Sequence, residues 1–150
     1  MLVWCGLRGY NRLGRYIYEY ARKGDVDACR RLRKAEGMNV FPICPLNDDL
    51  VTYAAKHGQM EVVKYLHENG CPWNEETCTE AAMGGRLDVL KNLHKNGCPW
   101  NGGTCVAAAK GGHLDVLKYA HKNGCPWRKS SCRWVAGAIK FVRRIEAQDE

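Results

Sequence analysis

Three times in this chain a histidine is followed four residues later by a cysteine and, seven after that, by another. The sets are His67-Cys71-Cys78, His94-Cys98-Cys105 and His121-Cys125-Cys132. Imidazole and thiolate are zinc ligands, and H-x3-C-x6-C could offer three of the four donors a tetrahedral site needs. The same residue types can also form a nucleophile and its base. Each chemistry lacks a partner here. There is no C-x-x-C knuckle, so a zinc site would have to borrow its fourth ligand from a neighbour. A catalytic constellation is singular, because one substrate meets one set of groups, whereas these sets recur as equivalents. Phosphate-loop, HExxH and GxSxG patterns are missing too. The expectation is no catalysis, no metal and no cofactor.

The alternative is architectural, and it begins with the elements that carry these side chains. With Cys44, Cys71 and Cys98 as first positions, the chain divides into units of 27 residues at 44–70, 71–97 and 98–124. The second and third units share 19 of their 27 residues. A degenerate leading unit is expected over 11–43, and a fourth opens at Cys125 and then diverges. Each unit predicts two short helices. Asn74 can cap the first, with Glu75 and Glu76 favouring its positive end. Cys78, Ala81 and Ala82 fall on one helical face, which predicts burial against a close neighbour. Gly84-Gly85 breaks the helix. In the second helix Leu87, Val89, Leu90 and Leu93 are expected inside, and Asp88, Lys91, Asn92 and Lys95 outside. Gly97 stands where a left-handed cap is needed, and Pro99 stops the helix.

Helices of about ten residues are unstable alone in water, so neighbouring units must stabilise one another by stacking. In that frame the first-position Cys is a small buried residue, a role free cysteine fills well. The histidine packs against tryptophan and bonds a loop carbonyl. Trp73, Trp100 and Trp127 are junction rings, either core or exposed binding aromatics. Trp4 and Trp134 break the pattern and suit exposure or cap packing.

The stretch TCTEAAMGGRLDVLKNLHKNGCPWN, residues 77–101, resembles the ankyrin repeat through Thr77, Ala81-Ala82, Gly85, the acid-Val-Leu-Lys run and Gly97. Short GCPWN-type repeats are similar to those of ankyrin proteins from giant amoeba-infecting DNA viruses and some protists. The likeness is strong over 44–124 and weak at the flanks. Two features depart from the family. The period is 27 rather than about 33, and the shortening falls where ankyrins project a β-hairpin finger. Cysteine also follows Thr77 in place of the TPLH signature. The resemblance implies an all-α, ankyrin-type helix-turn-helix solenoid with shortened inter-repeat loops instead of β-hairpin fingers, and protein binding as its work.

Length and composition fit a single domain spanning 1–150, with 45% apolar and 26% charged residues. Nine cysteines, an odd number without a secretory signal, point to a reducing compartment, so a cytoplasmic location is expected (a host cell's cytoplasm, should the source be viral). No apolar run approaches the length of a membrane span. The net charge of +7 is divided as +5 over 1–40, −1 over 41–124 and +3 over 125–150. Those basic ends, with Arg30, Arg31, Arg143 and Arg144, make nucleic-acid binding an alternative. Separation of the basic pieces disfavours it. A fragment of a longer array is a further alternative.

A partner site is expected on the outward positions of the first helices, which ankyrin stacks turn to their concave side. The candidates are Asp48, Asp49 and Tyr53, then Glu75, Glu76, Glu80 and Met83, then Lys110, then Lys129, Arg133 and Trp134. Their charge runs from acidic to basic along the row, with Tyr53, Met83 and Trp134 as apolar anchors. The partner is an unidentified protein, and the chain is expected to be a monomer. Residues 125–150 are expected to close the stack as one capping helix, with Val135, Ile139 and Val142 in one apolar stripe and Trp134, Ala138, Phe141 and Ile145 beside it.

Overall fold

The computed structural model describes residues 16–36, 48–126, 140, 143, 144 and 147. Their regular secondary structure is helical, with no strand among the described residues. The helices are α1 (residues 16–23), α2 (Val26–Glu36), α3 (Asp48–Lys56), α4 (Met60–Glu68), α5 (Glu75–Met83), α6 (Leu87–Lys95), α7 (Gly102–Gly111) and α8 (Leu114–Lys122). Among the described residues no helix is long and apolar enough to cross a membrane. The closing helix expected over 125–150 lies largely outside the described residues, as do Trp4 and Trp127. Within it, residues 140, 143 and 144 are helical and exposed.

Local chemistry sets the helix ends. Asn74 is extended (φ −143°, ψ −174°), and its Oδ1 accepts the amides of Glu76 and Thr77 at 3.0 and 3.2 Å. Thr77 Oγ1 accepts in turn from the Asn74 amide at 3.2 Å, closing a capping box. Asn101 starts α7 by accepting from the Gly103 amide at 2.8 Å. At the other end of each unit, Asn69, Asn96 and Asn123 turn their side-chain amides back onto the carbonyls of Tyr65, Asn92 and Tyr119 at 2.6, 2.7 and 2.8 Å. Gly97 follows in the left-handed region at φ 78°. Cys98 then donates its amide to Leu93 O at 2.9 Å, the return bond of a Schellman cap. Cys71 and Cys125 do the same to Leu66 and Ala120 at 3.0 Å. These return bonds draw all three cysteines into the core, so their burial follows from the cap.

First helices lie side by side, α3 on α5 and α5 on α7. Paired alanines allow the approach: Ala54, Ala55, Ala81, Ala82 and Ala108 are fully buried. Second helices form another row in which α2 meets α4 and α6 meets α8, with α4–α6 the looser junction. Val89, Leu90 and Leu93 are buried between the rows. Truncating any of these leucines to alanine is expected to cost roughly 2–5 kcal/mol. Leu87 departs from expectation. It is half-buried, and its counterpart Leu114 is 46% exposed, because the first turn of the second helix sits at the edge of the pair.

Candidate functional site

Three sets of side chains bear on function: the thiols and imidazoles that resemble a reactive site, the outward face of α3, α5 and α7, and the bonds that join unit to unit.

The thiols pair across units rather than within C-x6-C. Cys78 Sγ on α5 donates to Cys98 Sγ at 3.4 Å, and Cys98 Sγ lies 3.3 Å from Asn74 O, which accepts from it. Cys125 Sγ likewise donates to Asn101 O at 3.2 Å. The bond to Cys98, and then burial, push the Cys78 thiol far above the usual range. Burial and the nearby Asp25 carboxylate raise Cys29 to about 11. Cys125 is lowered by its bond from Cys105, yet it is only 4% exposed. A raised thiol is protonated and a poor nucleophile. Among the described residues no three His, Cys, Asp or Glu side chains gather as a metal site.

The imidazoles stack on indoles. His67 lies parallel to Trp73 with centroids 3.4 Å apart and an interplanar angle of 6°, and His94 lies on Trp100 at 3.9 Å and 16°. Both tryptophans are half-buried and pack against the core. The expected contact between histidine and tryptophan is therefore present in both units.

The candidate binding residues are less uniform than their sequence positions suggest. Asp48 opens α3, and Asp49, Glu75 and Glu76 are exposed in first turns, where a carboxylate favours the helix dipole. Glu75 accepts from Asn101 Nδ2 of the next unit. Glu80 is half-buried and bridges to Lys56 Nζ at 2.7 Å, tying α5 to α3. Tyr53 is half-buried between two rings, edge-on to Tyr18 at 5.2 Å and 4.6 Å from His57. Met83 is half-buried against the core, and Lys110 is exposed. Lys129, Arg133 and Trp134 lie outside the described residues. Of the residues proposed for nucleic acid, Arg30 is committed to Asp27 at 2.8 Å and to the face of Tyr65.

Two features were missed from the sequence. The first is a basic edge. Burial, and then the cations of Arg22, Arg86 and Lys56, hold His57 below its ordinary value, so these groups gather at the C-terminal ends of α1 and α3. The α3–α5–α7 face thus has carboxylates where α3 and α5 begin and cations where α3 and α7 end, while α7 begins without a carboxylate and α5 ends without a cation in its last turn. The second is a staple between units. Gln59 Nε2 donates to Arg22 O at 2.8 Å, Arg86 Nε to Lys56 O at 3.2 Å, and His113 Nε2 lies 3.1 Å from Met83 O. All three residues stand just before a second helix, and none caps it. They reach back to the preceding unit instead. Gln, Arg and His share only a side-chain N–H at middling reach, so a search for matching letters passes over them. Compared with known proteins, the chain matches no family model and no curated protein.

Proposed function

We propose that the chain is an ankyrin-type solenoid without projecting fingers, acting as a monomeric, non-catalytic scaffold in the cytoplasm. It binds a partner protein across the outward face of α3, α5 and α7, the concave side of such a stack. One observation carries this reading. Units 71–97 and 98–124 differ at eight positions, and five of them fall on the outward positions of α5 and α7. There Glu75, Glu76, Thr79, Glu80 and Met83 become Gly102, Gly103, Val106, Ala107 and Lys110. Ala107 is the one buried residue of the ten. Apart from Leu93, which becomes the equally buried Ala120, packing positions of the second helix are held while outward positions diverge, which is how a repeat array acquires a specific partner on a constant frame.

The face supplies complementary charge for that role. Carboxylates at the starts of α3 and α5 and cations at the ends of α3 and α7 would orient a partner and speed its approach more than they would tighten it. The test is capture of partners from the native cell with the wild-type chain and with a Glu76→Lys/Glu80→Lys variant. A partner lost with the variant supports the placement. A partner retained at equal affinity by that variant and by Tyr53→Ala would show that the face is not used.

A further inference from the structure

Of the remaining differences between the two closest units, one replaces Asn92 by Tyr119 at the same position of the second helix. Around it the structure repeats an arrangement of rings and cations. Tyr119 on α8 stands edge-on to His94 and to Trp100, each at 6.2 Å, with Lys91 Nζ 5.9 Å from its centroid. One junction earlier than the middle one, Tyr65 on α4 has Arg30 of α2 over its ring at 5.6 Å. The second-helix row thus holds a tyrosine beneath a cation at the α2–α4 junction and again at α6–α8.

The α4–α6 junction has similar surroundings without the tyrosine, with Lys64 bridged to Glu61 at 3.1 Å and Glu68 standing where the next unit has Lys95. Lys64 takes the place of Lys91, and the stacked His67 and Trp73 take the place of His94 and Trp100. Asn92 stands where the tyrosine would be. A cleft of about 280 Å³ opens there, lined by Lys64, His67, Glu68, Trp73, Asn92 and Asn96. It lies near the lower end of small-ligand pockets, which begin at about 300 Å³. That is room for one side chain rather than an extended ligand. Indole and imidazole edges attract a ring packed edge-to-face, and an ammonium group above a ring attracts its π-cloud.

We propose that this cleft is a receptor for a tyrosine side chain presented by a partner polypeptide, with the chain's own Tyr119 as the template of its occupant. It lies on the second-helix row, away from the α3–α5–α7 face, and does not depend on the function proposed for that face. The phenol ring enters between Lys64 and the His67–Trp73 stack, taking the position Tyr119 holds one unit on. Asn96 Nδ2 is bonded to Asn92 O and Oδ1, which leaves Asn92 Nδ2 and Asn96 Oδ1 for the hydroxyl or the peptide backbone.

The experiment uses the whole chain labelled with nitrogen-15 and follows the tryptophan indole N–H signals during titration with N-acetyl-tyrosinamide. Affinity for so small a probe is expected on the order of millimolar. The Trp73 signal should shift with saturation, and Asn92→Tyr, which fills the cleft as the next unit is filled, should abolish the shift. Tyr119→Asn should open a second site and make the Trp100 signal respond. Two small probes guard against nonspecific uptake: p-cresol should bind, and 4-methylcyclohexanol, of like shape without the π-system, should not. The proposal is overturned if Asn92→Tyr, shown folded by its dispersed spectrum, still binds, or if the saturated ring binds as well as the aromatic one. It is also overturned if p-cresol enters and the capped tyrosine does not, since a free phenol would then be the ligand. Should Tyr119→Asn fail to fold, Asn92→Tyr and the ring pair decide the matter alone.

Discussion

Replacing Gly85 by alanine tests how firmly one unit grips the next. Gly85 is left-handed at φ 68°, a conformation that costs a residue with a Cβ about 1–2 kcal/mol. A Cβ there would also sit 2.4 Å from His113 Nδ1 and 2.8 Å from its Cγ, so the whole ring must move rather than its tip. Moving it breaks the bond from His113 to Met83 O, worth about 0.5–1.5 kcal/mol. The expected loss for Gly85→Ala is therefore about 1.5–3.5 kcal/mol. Gly112 supplies the control, because it is left-handed at φ 72° with nothing within 4 Å of a built Cβ. Gly112→Ala should lose only the conformational part, about 1–2 kcal/mol. Urea unfolding followed by far-ultraviolet circular dichroism measures both. In a His113→Ala background the extra loss at Gly85 should disappear, and a double-mutant cycle isolates it. Equal losses at the two glycines, within about 0.5 kcal/mol, would refute the staple.

Other outcomes follow from buried polar groups and from charge. Among the described residues Thr104 Oγ1 is buried without a hydrogen-bond partner, whereas Thr77 Oγ1 accepts from the Asn74 amide. Thr104→Val should be neutral or stabilising and Thr77→Val should cost about 1–2 kcal/mol; urea midpoints of opposite order would reject the assignment. His57 lies below its ordinary value of 6.5 through burial and the cations of Arg22, Arg86 and Lys56. Between the lowered value and 6.5 the unfolded chain binds more protons. Its contribution to stability is then present above 6.5 and is lost as pH falls through the folded value. His57→Gln should flatten that acid-side loss in a pH series of urea midpoints, and an unchanged slope would reject the cause.

Much of the frame was legible because it rests on local rules that single residues announce. Asn74 reads as a cap, Gly97 as a left-handed stop and Ala81-Ala82 as a close-packed face, and the structure places them so. What was illegible depends on distance across units. C-x6-C spacing suggests that Cys71 and Cys78 belong together, yet Cys78 meets Cys98, because the Schellman return bond carries each first-position cysteine beneath the helix before it. Identity between units hid the staple, since Gln59, Arg86 and His113 differ in type and agree only in reach. Leu87 obeyed the apolar pattern and still sits half-exposed, for the pattern gives a face but not its distance from the core. On the candidate face the sequence showed charge changing along the row. The charge separation across part of it, carboxylates where α3 and α5 begin and cations around Lys56, comes from how neighbouring helices are aligned.

The recurring cysteines are buried where one unit meets the next, and alkylation of the native chain tests their role as mortar directly. Iodoacetamide labelling, mapped by mass spectrometry, would be followed at Cys78, Cys98, Cys105 and Cys125 while circular dichroism reports the helices. All four are at most 4% exposed, so labelling is expected only as fast as the chain unfolds, and added urea should accelerate labelling and helix loss together. Labelling of these thiols at the rate of a free cysteine, with the helices intact, would contradict it.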